Sequence, residues 1–147
     1  MVLIVPIVTE RIESVKAGIV GAGAFAIAQT ATIVAKTTIV NLIAAYSTTV
    51  ITLNWQLLLQ IAIGAVSGFL FGVTYRYIIR GDRNSHLNDG AVLAFGLVRG
   101  LALVESNFIF SELLSVLFIV IQSIIYFAIA RLVLDLAIDY KLIKPFI

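Results

Sequence analysis

An uncharged apolar run from Trp55 to Tyr75, followed by a hydrophilic turn and a second apolar run that resumes at Ala91, leaves this chain few folds to choose from. As a helix rising about 1.5 Å per residue, the first run is long enough to cross a hydrocarbon core of ~30 Å. The turn concentrates Arg76, Arg80, Asp82, Arg83, His86 and Asp89 between the two runs. That contrast predicts a membrane hairpin. The rest of the chain agrees: 61% of the 147 residues are hydrophobic, 12% are charged and the mean hydropathy is +1.11. A soluble domain carries about 25% charged residues, and its core could not absorb this much apolar surface.

Charge and cysteine content narrow the function classes. Ten Lys and Arg stand against eight Asp and Glu, a net charge of +2. The basic residues are scattered at the borders of apolar runs rather than massed, which excludes a nucleic-acid partner. There is no cysteine, so disulfides, thiolate metal sites and cysteine nucleophiles are excluded as well.

Four spans are expected, over about residues 17–35, 55–79, 90–110 and 113–137. Ahead of the first, the apolar stretch 1–8 is broken by Pro6 and reads as an interfacial lead-in, with Thr9 as a helix N-cap and Glu10 and Glu13 in the first turn. Lys16 and Lys36 bracket the first span, where long basic side chains can snorkel to opposite interfaces. Gly18, Gly21 and Gly23 lie between alanines there and invite another backbone to approach. In the second span Gly64, Gly68 and Gly72 recur every fourth residue and share one helix face; the third repeats the device with Gly96 and Gly100. Trp55 sits at interfacial depth, and Tyr75, Tyr77, Arg76 and Arg80 mark the other border. The fourth span has no glycine and reads as lipid-facing or bulk-filling. Beyond it Arg131, Asp135 and Asp139 are spaced for i,i+4 ion pairs.

Residues 37–53 are uncharged but rich in Thr and Ser. Their apolar and polar positions fall on separate helical stripes, which favours an amphipathic helix on the membrane surface over a fifth span. The expected fold is thus all-α: a polytopic transmembrane helical bundle of four spans plus an amphipathic interfacial helix, in a single membrane domain. With four spans, Arg11, Lys16, Arg76, Arg80, Arg83, Arg131, Lys141 and Lys144 share one side, against Lys36 on the other. The positive side, with both termini, is expected to be cytoplasmic.

Few residues could carry chemistry. Arg99 is the only charge deep in a span, at a cost of ~2.5–3.5 kcal/mol on insertion scales, so it should face protein, a polar cavity or a partner. Glu105 is the expected mate. Gln29, Asn107 and Gln122 could join a polar seam between helices. His86, the only histidine, has no neighbours at metal-ligand spacing, and RGDRN lacks the glycines and lysine of a phosphate loop. Neither a catalytic site nor a metal is expected, and no cofactor beyond a bound lipid or pigment.

The run from Thr74 to Ala102, TYRYIIRGDRNSHLNDGAVLAFGLVRGLA, resembles a stretch of small membrane proteins of cyanobacteria and plastids. The resemblance implies a thylakoid membrane and a link to photosynthetic complexes, and it carries no site residues. The layout of Gly68 to Phe71, a basic loop, Asp89, Gly96 and Gly100 is also similar to the four-span preprotein and amino-acid transporter family of mitochondria and plastids. Here the arginine-to-aspartate spacing differs and Leu97 replaces a small residue, so no translocation role follows.

Two functions of different class are expected on these grounds. The first is a non-enzymatic accessory or assembly protein that binds other membrane proteins, a photosystem among them. Its partner-binding faces would be Gly64, Gly68, Gly72, Gly96 and Gly100, with Arg76, Arg80 and Arg83 as a charged docking loop. The alternative is a small channel or carrier, formed as a homo-oligomer, in which Arg99, Glu105 and Gln122 line a path.

Overall fold

The computed structural model describes residues 4–43, 54–79, 85–106 and 113–144, and among them every regular element is a helix. These are α1 (Ile4–Ile43), α2 (Trp55–Ile78), α3 (Ser85–Ser106) and α4 (Leu113–Asp139). Each is long and apolar enough to cross a membrane. The chain is therefore a four-span helical integral membrane protein. Large apolar side chains such as Ile19, Ile27, Leu70, Val98 and Leu132 are exposed along the outside of the bundle. In a protein without lipid they would be a liability; here they are the lipid-facing surface.

Three sequence expectations change at the helix ends. α1 already begins at Ile4, so 4–8 is helix rather than lead-in and Thr9 is no N-cap. Pro6 is tolerated because it stands in the first turn, where its missing N–H has no intrahelical acceptor to serve. At its other end α1 runs on to Ile43, so residues 37–43 continue the first span instead of opening a separate surface helix. The threonines do not break it: Thr30, Thr32, Thr37 and Thr38 each donate their hydroxyl to the carbonyl one turn back, at 2.9 Å. Each polar group is thus satisfied within the helix. The remainder of the expected interfacial helix, 44–53, lies outside the described residues. At 40 residues, α1 is ~60 Å long, about twice the hydrocarbon thickness, so it projects beyond the core.

The helices alternate in direction and form two tight pairs, α1 with α2 and α3 with α4. Glycine makes both possible. A Cβ placed on Gly68 would lie 2.6 Å from the Gly21 carbonyl oxygen and 2.6 Å from Phe25 Cβ, and one on Gly72 would collide with Ala17 and Gly18. Gly96 meets Ile124 and Gly100 meets Val120 in the same way, with α4 Cα atoms at 2.7 and 2.8 Å from the added carbon. Backbone thus touches backbone, which is how helices associate in lipid, where apolar burial gives no drive. Gly23 and Gly90 face open space. The fourth helix is not peripheral: it packs on α1, α2 and α3 and buries Val120, Ser123, Tyr126, Phe127, Ala130, Leu134 and Ala137 along one stripe.

Between the pairs the middle of the bundle is aromatic. Phe25, Phe71 and Phe127 are fully buried, with ring centroids 4.9 Å apart for Phe25–Phe127 and 5.2 Å for Phe71–Phe127. Tyr75, Phe95 and Tyr126 complete the cluster. These rings close the bundle at mid-depth. Polar structure remains at both ends, and the ends differ.

Candidate functional site

At the end that gathers the start of α1, the end of α2, the start of α3 and the end of α4, every buried charge has a match. Arg76 is only 1% exposed. Its Nε donates to the Lys144 carbonyl at 2.8 Å, its Nη1 to Ser14 Oγ at 2.7 Å and the Glu10 carbonyl at 3.0 Å, and its Nη2 pairs with the Glu10 carboxylate. Glu13 takes the Lys144 N–H at 3.0 Å and pairs with Lys16 at 2.8 Å. Tyr75 donates to Asp135 at 2.8 Å, and Arg131 pairs with both Asp89 and Asp135. The segment after α4 is held here too: Lys141 turns into the left-handed region (φ 59°), the Leu142 N–H returns to the Ala137 carbonyl at 2.9 Å, and Ile143 is buried. This end is a lock that ties four helices together.

The expectation that Arg76 is a snorkelling or docking residue is therefore corrected. The helical register turns its side chain toward α1, where a carboxylate and a hydroxyl receive it. Arg80, Arg83 and Asp82 lie outside the described residues. His86 is exposed near the start of α3, and the described residues contain no group of acids and histidines able to hold a metal.

The opposite end holds a cavity of about 190 Å³. It is lined by Gln29, Thr32, Ile33 and Lys36 of α1, Gln60 of α2, Arg99 and Leu103 of α3, and Ile119, Gln122, Ser123 and Tyr126 of α4. It exists because the backbones of α1 and α3 stand apart across the long diagonal of the bundle. At a share of ~30 Å³ per water, it has room for several waters or a solute of a few heavy atoms. Toward the aromatic layer it is bounded by Tyr126, whose ring meets that of Phe25.

Three buried polar atoms among the lining residues have no partner: Gln29 Oε1, Arg99 Nε and Ser123 Oγ. Gln29 and Ser123 are 2% exposed and Arg99 9%. Gln29 Nε2 donates to the Gln60 carbonyl at 3.2 Å, which fixes the amide orientation; its oxygen then presses on Gly64, where any side chain would collide. Arg99 Nη1 donates to Ser67 Oγ at 2.9 Å, and the guanidinium lies 4.8 Å from the Phe25 ring centroid. At the mouth, Lys36 donates to Gln122 Oε1 at 2.9 Å and lies 5.2 Å from the Phe118 ring. Gln122 in turn donates to Tyr126 Oη.

Against the sequence reading, the structure brings Arg99 and Gln122 to one cavity, joined by Gln29, while Asn107 lies outside the described residues. Glu105 is not with them. Six residues along a helix turn it about 240° from Arg99, and it is exposed; Ser67 and the Phe25 ring take the place of the expected carboxylate. The five glycines read as partner-binding are likewise corrected: all of them are filled by helices of this same chain. Sequence reasoning missed Lys36, Gln60, Ser123 and Tyr126. The adjacent polar pair Gln122–Ser123 in an otherwise apolar span was the available signal.

Fold and cavity together define the class: a small helical membrane protein, with four spans among its described residues and a polar cavity toward one end of the bundle. Comparison with protein-family models, curated proteins and solved structures gives no match.

Proposed function

We propose that this protein binds a small polar solute within the membrane and acts as a small carrier, with the cavity around Arg99 as its binding site. One observation carries the reading. The three described residues whose buried polar atoms lack partners, Gln29, Arg99 and Ser123, all line the one cavity, whereas the other end of the same bundle satisfies its buried charges internally. Leaving a buried polar group unmatched costs ~1–3 kcal/mol, a cost that a solute or its accompanying water would offset.

The helix pairing supports movement. Within each pair, backbones interlock through glycine; between pairs, the links are side-chain contacts such as Arg99–Ser67, Lys36–Gln122 and Tyr75–Asp135. Two rigid pairs hinged across an aromatic layer could open the cavity to one face and then the other. The partner-binding reading loses the support of the glycine rows, because both are occupied within the chain. Basic residues crowd the Arg76 end, which supports a cytoplasmic placing of that end, with the cavity opening to the opposite face. The resemblance across Thr74–Ala102 supports a thylakoid membrane.

The absence of cysteine makes the test clean. With Thr32→Cys in sealed vesicles, a membrane-impermeant thiol reagent should react from the cavity face and, more slowly, from the Arg76 face. Labelling from the cavity face alone would make the protein a receptor rather than a carrier; no labelling from either face would mean a dry cavity and would remove the reading.

A further inference from the structure

Resting on the reading of the cavity as a solute site, we infer that its occupant is a small anion of the oxyanion class, bearing a carboxylate, phosphate or sulfate group. The lining carries two cations, Arg99 and Lys36, and among the described residues that line it there is no carboxylate. A guanidinium stays protonated at every physiological pH, so the site is electropositive whatever the conditions. The acid nearest in sequence, Glu105, is on the far side of α3. Every other residue of the wall is neutral.

The donors also have the right form. Arg99 uses Nη1 on Ser67, which leaves the Nε side of the guanidinium without a protein acceptor. That edge of an arginine matches two oxygens of a planar or tetrahedral oxyanion. Ser123, on the facing helix, belongs to the same wall, and its buried hydroxyl is also unpartnered. The Phe25 ring, with its centroid 4.8 Å from the guanidinium carbon, packs against Arg99 from another side. Lys36 at the mouth is exposed and bonded only to a neutral amide and a ring among its described partners, so it can draw an anion in. A cation would meet two like charges and no counter-charge in a low-dielectric wall. The same oxyanion chemistry is offered by a free solute and by the headgroup of an anionic lipid.

The test uses the full chain with Thr32→Cys, a position whose hydroxyl is spent on its own helix, in discs of phosphatidylcholine. The rate of modification by a small neutral thiol reagent is measured with sodium acetate, sulfate or phosphate, against equal ionic strength from a bulky organic anion. At least one of the three should slow the reaction about threefold, the effect of two-thirds occupancy. The protection should be lost in Arg99→Gln and weakened in Lys36→Gln, which at the exposed mouth leaves the fold intact. Protection by phosphatidylglycerol in the disc, with none from free anions, would support the anion site and assign its ligand to lipid. A cysteine that reacts but that no anion protects overturns the inference while leaving the solute cavity standing. A cysteine that never reacts overturns both.

Discussion

Gly68→Ala asks whether the glycine row of α2 serves this chain or another. The added carbon would stand 2.6 Å from the Gly21 carbonyl oxygen, 2.6 Å from Phe25 Cβ and 3.1 Å from Ala22 Cα. Ordinary contact needs ~3.4 Å or more, so α1 and α2 must part by roughly 0.8 Å, and overpacking of this kind costs ~1–3 kcal/mol. All three neighbours are backbone or Cβ atoms that no rotamer change can move. Gly68→Leu should therefore separate the pair outright. If the row instead served a foreign subunit, alanine would leave the isolated chain unchanged or stabilise it by up to ~1 kcal/mol through helix propensity. The sign decides between the two. Reversible unfolding in mild detergent, followed by far-ultraviolet circular dichroism, gives the number. Gly23→Ala, whose new carbon meets nothing within 4 Å, is the control and should be neutral or stabilising. A Gly68→Ala protein as stable as its parent would refute the backbone contact on which the α1–α2 pairing rests.

Three further outcomes follow from the same geometry. Gly96→Ala should destabilise by a similar ~1–3 kcal/mol through its collision with Ile124, and the double variant with Gly68→Ala should be additive within ~0.5 kcal/mol, since the two contacts lie in separate pairs; strong coupling would contradict that separation. Ser123→Ala removes a buried hydroxyl with no partner, so stability in the same assay should rise by about 1 kcal/mol, while anion protection of the thiol introduced by Thr32→Cys weakens. Lys141→Gly relieves a left-handed lysine at the end of α4 and should add about 0.5–1 kcal/mol; a loss of stability would mean that the Lys141 side chain holds the turn.

The spans were legible because bilayer thickness sets a length that an uncharged run must reach, and Trp55–Ile78 and Leu113–Asp139 reach it almost residue for residue. The course of α1 was not. The polar positions of 37–53 read as one stripe of a surface helix, and only the structure reveals that the Thr37 and Thr38 hydroxyls, like those of Thr30 and Thr32, fold onto their own helix. Gly21, Gly68, Gly72, Gly96 and Gly100 do meet a neighbouring backbone, whereas Gly23 faces open space, and periodicity cannot say whose backbone comes close. Glu105 is the carboxylate nearest to Arg99 along the chain, but the angle around α3 carries it to an exposed side, away from Ser67 and Phe25. Lys36 and Ser123 were hidden for another reason: each becomes a cavity residue only through the gap between α1 and α3, and a diagonal gap leaves no mark on any one helix.

The two buried arginines make the last test, because the same residue type stands in opposite surroundings. Arg76 is held by the Glu10 carboxylate, Ser14 and two carbonyls, and removing it would strand Glu10 and release the Lys144 carbonyl. Breaking a buried pair costs ~3–5 kcal/mol; because Glu10 is about a third exposed, solvent screening reduces that to about 2–4 kcal/mol for Arg76→Met. Arg99 has one close hydroxyl, a carbonyl at 3.5 Å on Ile63 and one ring for partners, together worth about 2–3 kcal/mol, against an insertion cost of ~2.5–3.5 kcal/mol. Arg99→Leu should thus be as stable as the parent within about 1 kcal/mol, and should lose anion protection completely. If Arg99→Leu instead unfolds the protein as Arg76→Met does, Arg99 is a structural residue and the cavity loses its claim to be a site. A fold that needed only stability would gain little from a guanidinium there, and a parent-like Arg99→Leu that loses protection would support the proposed anion site.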